Sequence, residues 1–369
     1  MDSTLVCVLN GDELLNMKKI AIFQSDLKVG GIQKALINIL NEIDFDVCSV
    51  DVYLFDDEQF FELPQRENLE YIFLKPYPWL NRVVYFELLR RFAPLKLRDR
   101  EYDVAVDFSS YRNECAVGTV TARAKRRVMW IHNDVEIKLR DEFKYRVLWH
   151  FFKSKLRYYD EFAAVSPGII DGFRKSSGIY DRPVTPIPNH IDTSEIFQKS
   201  KEAIDFEVDP GCYNLCTMGR INHQKGFDIL MDLMAELTKL RPDIRLYLLG
   251  DGPDRGKLEQ QIARLGLGNI VTLLGNQANP FPYVNKMDGF VLTSRYEGQG
   301  IVIWEAKTLG LELFIPEHLI KYNPGIEGRS DLLAALSTAQ RQEKHPDDLG
   351  DYNARIGESL KTVLLSDFD

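Results

Sequence analysis

The sequence predicts an α/β protein made of two doubly wound domains, each a parallel sheet wrapped by helices. Two observations predict it. Short, nearly continuous apolar runs alternate with stretches of helical period, the pattern of βαβ units and a buried parallel sheet. The pattern halts at Pro183, Pro186 and Pro188, crosses a polar stretch to about Pro210, and then restarts. The length of 369 residues is also too great for one ordinary core.

In order, 20–24 reads as the first buried strand. A Gly30-Gly31 loop and a helix over 32–40 follow. Residues 47–55, 104–108, 128–132 and 162–165 read as further strands, with helical stretches between them. After the proline-rich linker, 213–219 is a strand. Phe227, Leu230, Met231, Met234 and Leu237 then mark one apolar face of a helix. Residues 244–250 are almost continuously apolar, as a strand buried on both faces requires, and 270–274 and 289–294 add two more. Met17-Lys18-Lys19-Ile20 runs straight into the first strand, so 1–16 reads as an extension. The expected division is a first domain over 17–192, a second over 193–340, and a helical segment over 341–369 packing back toward the first.

Composition narrows the class. The hydrophobic fraction of 45% and charged fraction of 27% are those of a soluble globular protein. A net charge of −9 argues against nucleic acid as a partner. No run of about 18 apolar residues exists, so no membrane-spanning helix is expected, and no secretory signal is visible. Cys7, Cys48, Cys115, Cys212 and Cys216 are odd in number and scattered, which suits a reduced, cytoplasmic compartment. Cys212 and Cys216 alternate with apolar residues and read as buried thiols, not a metal pair.

Four loops carry the chemistry. In Ser294-Arg295-Tyr296-Glu297-Gly298-Gln299-Gly300-Ile301-Val302-Ile303-Trp304-Glu305, Glu297 sits in a loop at a strand's C-terminal end, and Glu305 sits one to two turns into the next helix. Val302, Ala306 and Leu309 are expected to share that helix's inner face. Gly219-Arg220-Ile221-Asn222-His223-Gln224-Lys225-Gly226 leads from a strand into a helix near Phe227. Gly219 permits a tight turn, the helix start offers N–H groups and a positive dipole end, and Arg220 and Lys225 add charge suited to a diphosphate. Gly250-Asp251-Gly252-Pro253 and the loop from Asn276 to Pro282 end two more strands and suit a nucleotide pocket, in the crevice where open α/β sheets bind ligands.

In chain order, the motifs at 219–226, 249–253 and 294–310 resemble the nucleotide-sugar half of the retaining glycosyltransferases of family 4, or group 1, which have the GT-B fold: two Rossmann-like domains facing across a cleft. The likeness is close over 213–312 and weaker in the front half. It implies that Arg220 and Lys225 neutralise the donor diphosphate, that Glu305 accepts from the ribose hydroxyls, and that Glu297 contacts the donor sugar. It implies that Gly30 and Gly31 approach the diphosphate and that His132, in Trp130-Ile131-His132-Asn133-Asp134, stands near sugar and acceptor. Catalytic roles thus fall to His132, Arg220, Lys225 and Glu297. Donor binding falls to Gly30, Gly31, Gly219, Arg220, Lys225, Gly250, Asp251, Asn276, Glu297, Gly298, Gln299, Gly300 and Glu305. The implied donor is a UDP-sugar, with no cofactor and no metal.

The sequence also departs from the family. Gln299-Gly300 replaces the usual Phe-Pro type pair, and the Gln299 amide is expected to reach sugar or phosphate. In Asn189-His190-Ile191-Asp192, His190 stands where the family's hinge carries glycine. Asp44-Phe45-Asp46 and Asp367-Phe368-Asp369 have the spacing of an acidic metal pair but read as turn and terminus. Residues 75–100 and 138–159 mix arginine and lysine with aromatics, which suits peripheral contact with an anionic membrane at the cytoplasmic face and a lipid-linked acceptor. The reading is a retaining hexosyltransferase acting on a surface polysaccharide or lipid-linked glycan. The alternatives are a catalytically silent GT-B module that binds a glycan or protein, and a GT-B nucleotide-sugar epimerase.

Overall fold

The computed structural model describes residues 17–28, 30–75, 86–92, 95–109 and 112–366. The extension over 1–16 and Cys7 lie outside them. Packing divides the chain into two units. The first runs up to Val165 and includes Ile170–His190 and the chain from Arg355. The second holds Ser166–Ile169 and Ile191–Ala354.

The first unit is a seven-stranded sheet, all pairings parallel, in the order β3-β2-β1-β4-β5-β6-β7. Its strands are β1 (Lys18–Gln24), β2 (Cys48–Leu54), β3 (Leu69–Phe73), β4 (Glu101–Asp107), β5 (Arg123–Ile131), β6 (Glu161–Ala164) and β7 (Val184–Pro186). The order reverses between β1 and β4, so the crevice beyond their C-terminal ends is the ligand position of this topology. The helix Gly31–Glu42 follows β1 and buries Ala35, Leu36, Ile39 and Leu40.

In the first unit two edge strands escape the sequence pattern. β3 alternates between half-buried and exposed positions, so it carries no continuous apolar run. β7 lies within the expected linker, with Pro183 just before it and Pro186 at its end. Prolines are tolerated there because an edge strand leaves backbone donors unpaired on one side. The rest of that linker is no simple tether either, since Thr193–Lys199 is helical and capped by Asp192.

The second unit has a five-stranded sheet, again all parallel, in the order β10-β9-β8-β11-β12. Its strands are β8 (Tyr213–Met218), β9 (Ile244–Leu249), β10 (Val271–Gly275), β11 (Gly289–Val291) and β12 (Glu312–Phe314). The helix Phe227–Leu240 buries Phe227, Leu230, Met231, Met234 and Leu237, the face read from the sequence. Burial of five such side chains contributes roughly 10 kcal/mol before ordering entropy is subtracted. Cys212 and Cys216 are buried free thiols.

The segment over 341–369 is divided between the units. Arg341 donates to the Pro210 carbonyl and pairs with Asp288, and Lys307 pairs with Asp347, which holds the segment to the second unit as far as Ala354. From Arg355 onward Ile356, Leu360 and Val363 are buried, and Arg126 donates to the Val363 carbonyl in the first unit. Asp44 makes a turn, its Oδ1 accepting from the Asp46 N–H at 3.0 Å, while Asp367 and Asp369 lie outside the described residues. His190 needs no glycine-like backbone. Among the described non-glycine residues only Leu349 has a positive φ, and His190 instead sets Nε2 3.0 Å from Glu42 Oε2. No helix among the described residues is long and apolar enough to cross a membrane.

Candidate functional site

In the second unit the strand ends converge because glycines let them. Gly219 (φ 150°) leaves β8 and Gly250 (φ 139°) leaves β9. A Cβ on Gly250 would lie 2.0 Å from the Gly219 carbonyl oxygen, so no side chain fits between these turns. The Ile221 N–H donates to the Asp251 carbonyl at 2.9 Å, and the Gly250 N–H to that of Gly275 at 2.8 Å, extending contact to the end of β10. Asn222 caps the short turn His223–Lys225, its side chain accepting from the Lys225 N–H at 3.1 Å. Gly226 (φ 62°) then starts the helix, with no room for a Cβ against the Thr293 carbonyl 2.2 Å away.

This close approach binds the β8 loop to the β11 loop. Thr293 Oγ1 donates to the Gly226 carbonyl (3.0 Å), the Arg295 N–H to that of Gln224 (2.8 Å), and Gln224 Nε2 to that of Tyr296 (3.2 Å). Arg295 also forks onto the Asp228 carboxylate at 2.8 and 2.5 Å, holding it below the usual carboxylate range. The result places Lys225 Nζ 2.7 Å from Glu297 Oε1, which also accepts from Ser294 Oγ at 2.6 Å. Glu297 is buried, Lys225 is half-buried, and Arg220 is exposed on the same loop. Gly300 ends this loop as the N-cap of the helix Ile301–Thr308, which has no side-chain cap and no acid in its first turn. Half-buried Glu305 lies within that helix. Its inner face is wider than expected: Ile303, Trp304, Ala306 and Leu309 are buried, and Val302 only half-buried.

The other residues expected at the donor site make separate contacts. Asp251 shapes its turn, its carboxylate accepting from the Gly252 N–H at 2.6 Å with Arg255 at 3.4 Å. Asn276 is exposed just past β10. The Gly298 carbonyl accepts from Ser166 Oγ, and the Gly300 N–H donates to Asn323 Oδ1. The Gln299 amide, expected to reach donor, is buried and donates to the Tyr352 hydroxyl. Ser166, Asn323 and Tyr352 are remote in sequence and lie in no motif, so nothing local marks them.

The remaining expected residues lie in the first unit. Gly30 and Gly31 stand after β1 at the start of an uncapped helix without an acid in its first turn. Gly30 has φ 170°, ordinary extended backbone, and a Cβ there would meet only the flexible end of Gln33; a Cβ on Gly31 would meet nothing within 4 Å. Packing among the described residues therefore does not demand glycine at either position. His132 follows β5, buried, with Nε2 2.6 Å from the Phe108 carbonyl and its ring edge-on to Phe108. Burial lowers its pKa to about 4, so the ring is neutral, Nε2 carries the proton toward the carbonyl, and Nδ1 is the acceptor. Elsewhere in the first unit, fully buried Lys155 lies 3.9 Å from Asp107 Oδ2, which accepts from Tyr159 at 2.6 Å.

Two family descriptions match successive parts of this chain: Glycosyltransferase Family 4 over 29–195, and Glycosyl transferases group 1 over 200–315, the part that carries the two interlocked loops. The chain belongs to the group 1 glycosyltransferases of GT-B fold. Within this family it is 32% identical over 128 residues to an uncharacterized glycosyltransferase of Methanocaldococcus jannaschii, covering 34% of this chain and 32% of that one. It is 30% identical over 145 residues to the lipopolysaccharide core biosynthesis mannosyltransferase LpsB of Rhizobium meliloti, covering 37% and 41%. The chain thus spans less than half the length of these curated relatives. The fold is similar to that of Anabaena Alr3699/HepE crystallised with UDP, at TM-score 0.62 and 19% identity over 94% of both chains.

Proposed function

We propose that this glycosyltransferase moves a hexose from a UDP-sugar to a cell-surface polysaccharide or lipid-linked glycan, with retention at the anomeric carbon and without a divalent metal. The observation that carries the reading is the Lys225–Glu297 contact, made by two motif residues 72 positions apart and held by the β8 and β11 loops. The names of the Rhizobium relative and of the UDP complex support the acceptor class and the nucleotide.

Arg220 and Lys225 place two cations on the loop that would face the diphosphate, where charge grows as the leaving group departs. Each such donor is worth about 3 kcal/mol in a water-poor site. They fill the role a divalent ion plays elsewhere. Glu305 accepts from the ribose hydroxyls, since each carboxylate oxygen can take one of a vicinal pair. Glu297 faces the sugar and stabilises oxocarbenium character. The departing β-phosphate takes the acceptor proton, so no protein nucleophile is assigned. The family resemblance assigns phosphate contacts to the Gly30 and Gly31 amides and a hydroxyl contact to His132.

Membrane contact belongs to the same reading. On the helix Phe143–Lys153, Phe143 (74% exposed), Val147 (48%) and Phe151 (47%) recur every fourth residue beside exposed Lys144, Arg146 and Lys153. Such a face suits an anionic bilayer surface. Anionic liposomes should sediment the protein in a salt-sensitive way; equal recovery with neutral liposomes overturns this part.

The primary test is calorimetric titration of UDP, GDP and ADP, with Glu305→Ala alongside. Selective UDP binding lost in the variant is expected, and no binding to any nucleotide overturns the proposal. Transfer should persist in EDTA and give product of retained anomeric configuration by NMR. Loss restored by Mg²⁺ would refute the metal-free claim.

A further inference from the structure

We propose that Ser166, Asn323 and Tyr352 are positioning residues that hold the 297–300 loop in its donor-competent shape; this rests on the donor-site reading above. Three consecutive loop positions are each gripped by a side chain from a different part of the second unit. The Gly298 carbonyl accepts from Ser166 Oγ at 2.6 Å. The Gln299 side chain donates to the Tyr352 hydroxyl. The Gly300 N–H donates to Asn323 Oδ1 at 3.1 Å.

The anchors are themselves fixed. Asn323 has no solvent exposure, and its Oδ1 also accepts from Trp304 Nε1 at 3.2 Å while its Nδ2 donates to the Leu319 carbonyl at 3.1 Å. Two donors on one atom and an acceptor on the other assign the amide orientation. The Tyr352 ring stacks on Trp304, centroids 4.1 Å apart and planes 22° from parallel, so Trp304 links the Tyr352 and Asn323 anchors. Ser166 is fully buried, and its neighbour Gly168 packs so closely on the Lys321 carbonyl that a Cβ there would lie 2.2 Å from it.

The loop needs such anchors. Two of its four residues are glycines, which have the greatest backbone freedom to lose. Glu297 stands at one end, and the helix bearing Glu305 begins at the other. A displacement of about 1 Å at such groups can cost on the order of a hundredfold in rate. The Gln299 amide in this reading orients the loop instead of reading the sugar.

Tyr352→Phe removes only the hydroxyl and keeps the ring on Trp304; Ser166→Ala removes the tie to Gly298. Both are compared with wild type by hydrogen exchange of the free protein, UDP calorimetry and donor kinetics. Expected are about tenfold faster exchange confined to 297–302, a similar Tm, UDP affinity within twofold, and kcat/KM for the sugar donor down about tenfold, mainly through kcat. Unchanged exchange in both variants, or faster exchange with unchanged donor kinetics, overturns the proposal. A wild type that binds no UDP sinks the donor-site reading, while the exchange arm still decides whether these side chains hold the loop.

Discussion

Lys225 and Glu297 neutralise each other in the free protein: Nζ lies 2.7 Å from Oε1, with the side chains only 17% and 5% exposed. Burial makes this contact consequential, because a removed partner leaves the other charge poorly solvated. A diphosphate and Glu297 would compete for the same cation.

Opposite effects on nucleotide affinity follow. Lys225→Ala should weaken UDP binding by about a hundredfold, the scale of one charge-assisted phosphate contact. Glu297→Gln should leave UDP binding intact or a few-fold tighter, since Lys225 is released, while transfer drops by at least a hundredfold. Calorimetry and initial rates measure both. Equal loss of UDP affinity in the two variants would show that the pair acts only as a structural brace.

Backbone approach at the β8 and β9 ends is tested by Gly250→Ala. The new Cβ would strike the Gly219 carbonyl, and φ 139° is itself unfavourable for a side chain. Nucleotide binding should fall sharply, and stability by about 2–4 kcal/mol. Gly31→Ala, where a Cβ meets nothing, should leave stability within about 0.5 kcal/mol. Urea unfolding compares them, and similar midpoints for the two variants would refute the packing argument.

His132 should make stability depend on pH. Its folded pKa of about 4 lies below the ordinary 6.5. Above about pH 6.5 both states hold neutral imidazole, so this group adds no slope. As pH falls from 6.5 toward 4, the unfolded chain takes a proton that the folded chain refuses, and stability declines, by on the order of 3 kcal/mol in full. Subtracting the His132→Phe profile from wild type should isolate that decline. A His132 imidazole resonance, assigned by its loss in His132→Phe, that titrates near 6.5 in the folded protein would contradict it.

Lys155, fully buried beside Asp107, has its pKa lowered by burial while the carboxylate opposes the shift. Lys155→Ala leaves a cavity and an uncompensated buried carboxylate, so a loss of about 3–5 kcal/mol is expected. Lys155→Met keeps the apolar stem and should lose less. Thermal and urea unfolding rank the variants. A neutral alanine variant would mean the charge is solvated in a way the burial does not indicate.

Much of this was legible in the chain. The central strands and the helix Phe227–Leu240 write their burial into apolar runs and helical spacing. The Gly219, Gly250 and Glu297 loops announce themselves because each sits between a readable strand and helix. β3, β7 and the three-residue β12 were not legible. An edge strand half-exposed to water needs no apolar run, and the prolines that made β7 resemble a linker are compatible with an edge. Gln299 was readable as a polar side chain in the loop after β11, but its partner was not.

The sequence by itself determined the two parallel-sheet units, the order of the loops that end their strands, and the charges those loops carry. Tertiary structure alone decided that Lys225 meets Glu297, that His132 is held neutral against the Phe108 carbonyl, and that Ser166, Asn323 and Tyr352 grip the 297–300 loop. The reason is physical. Periodicity records burial within one element, whereas a hydrogen bond between residues 23 to 132 positions apart depends on where separate elements come to rest.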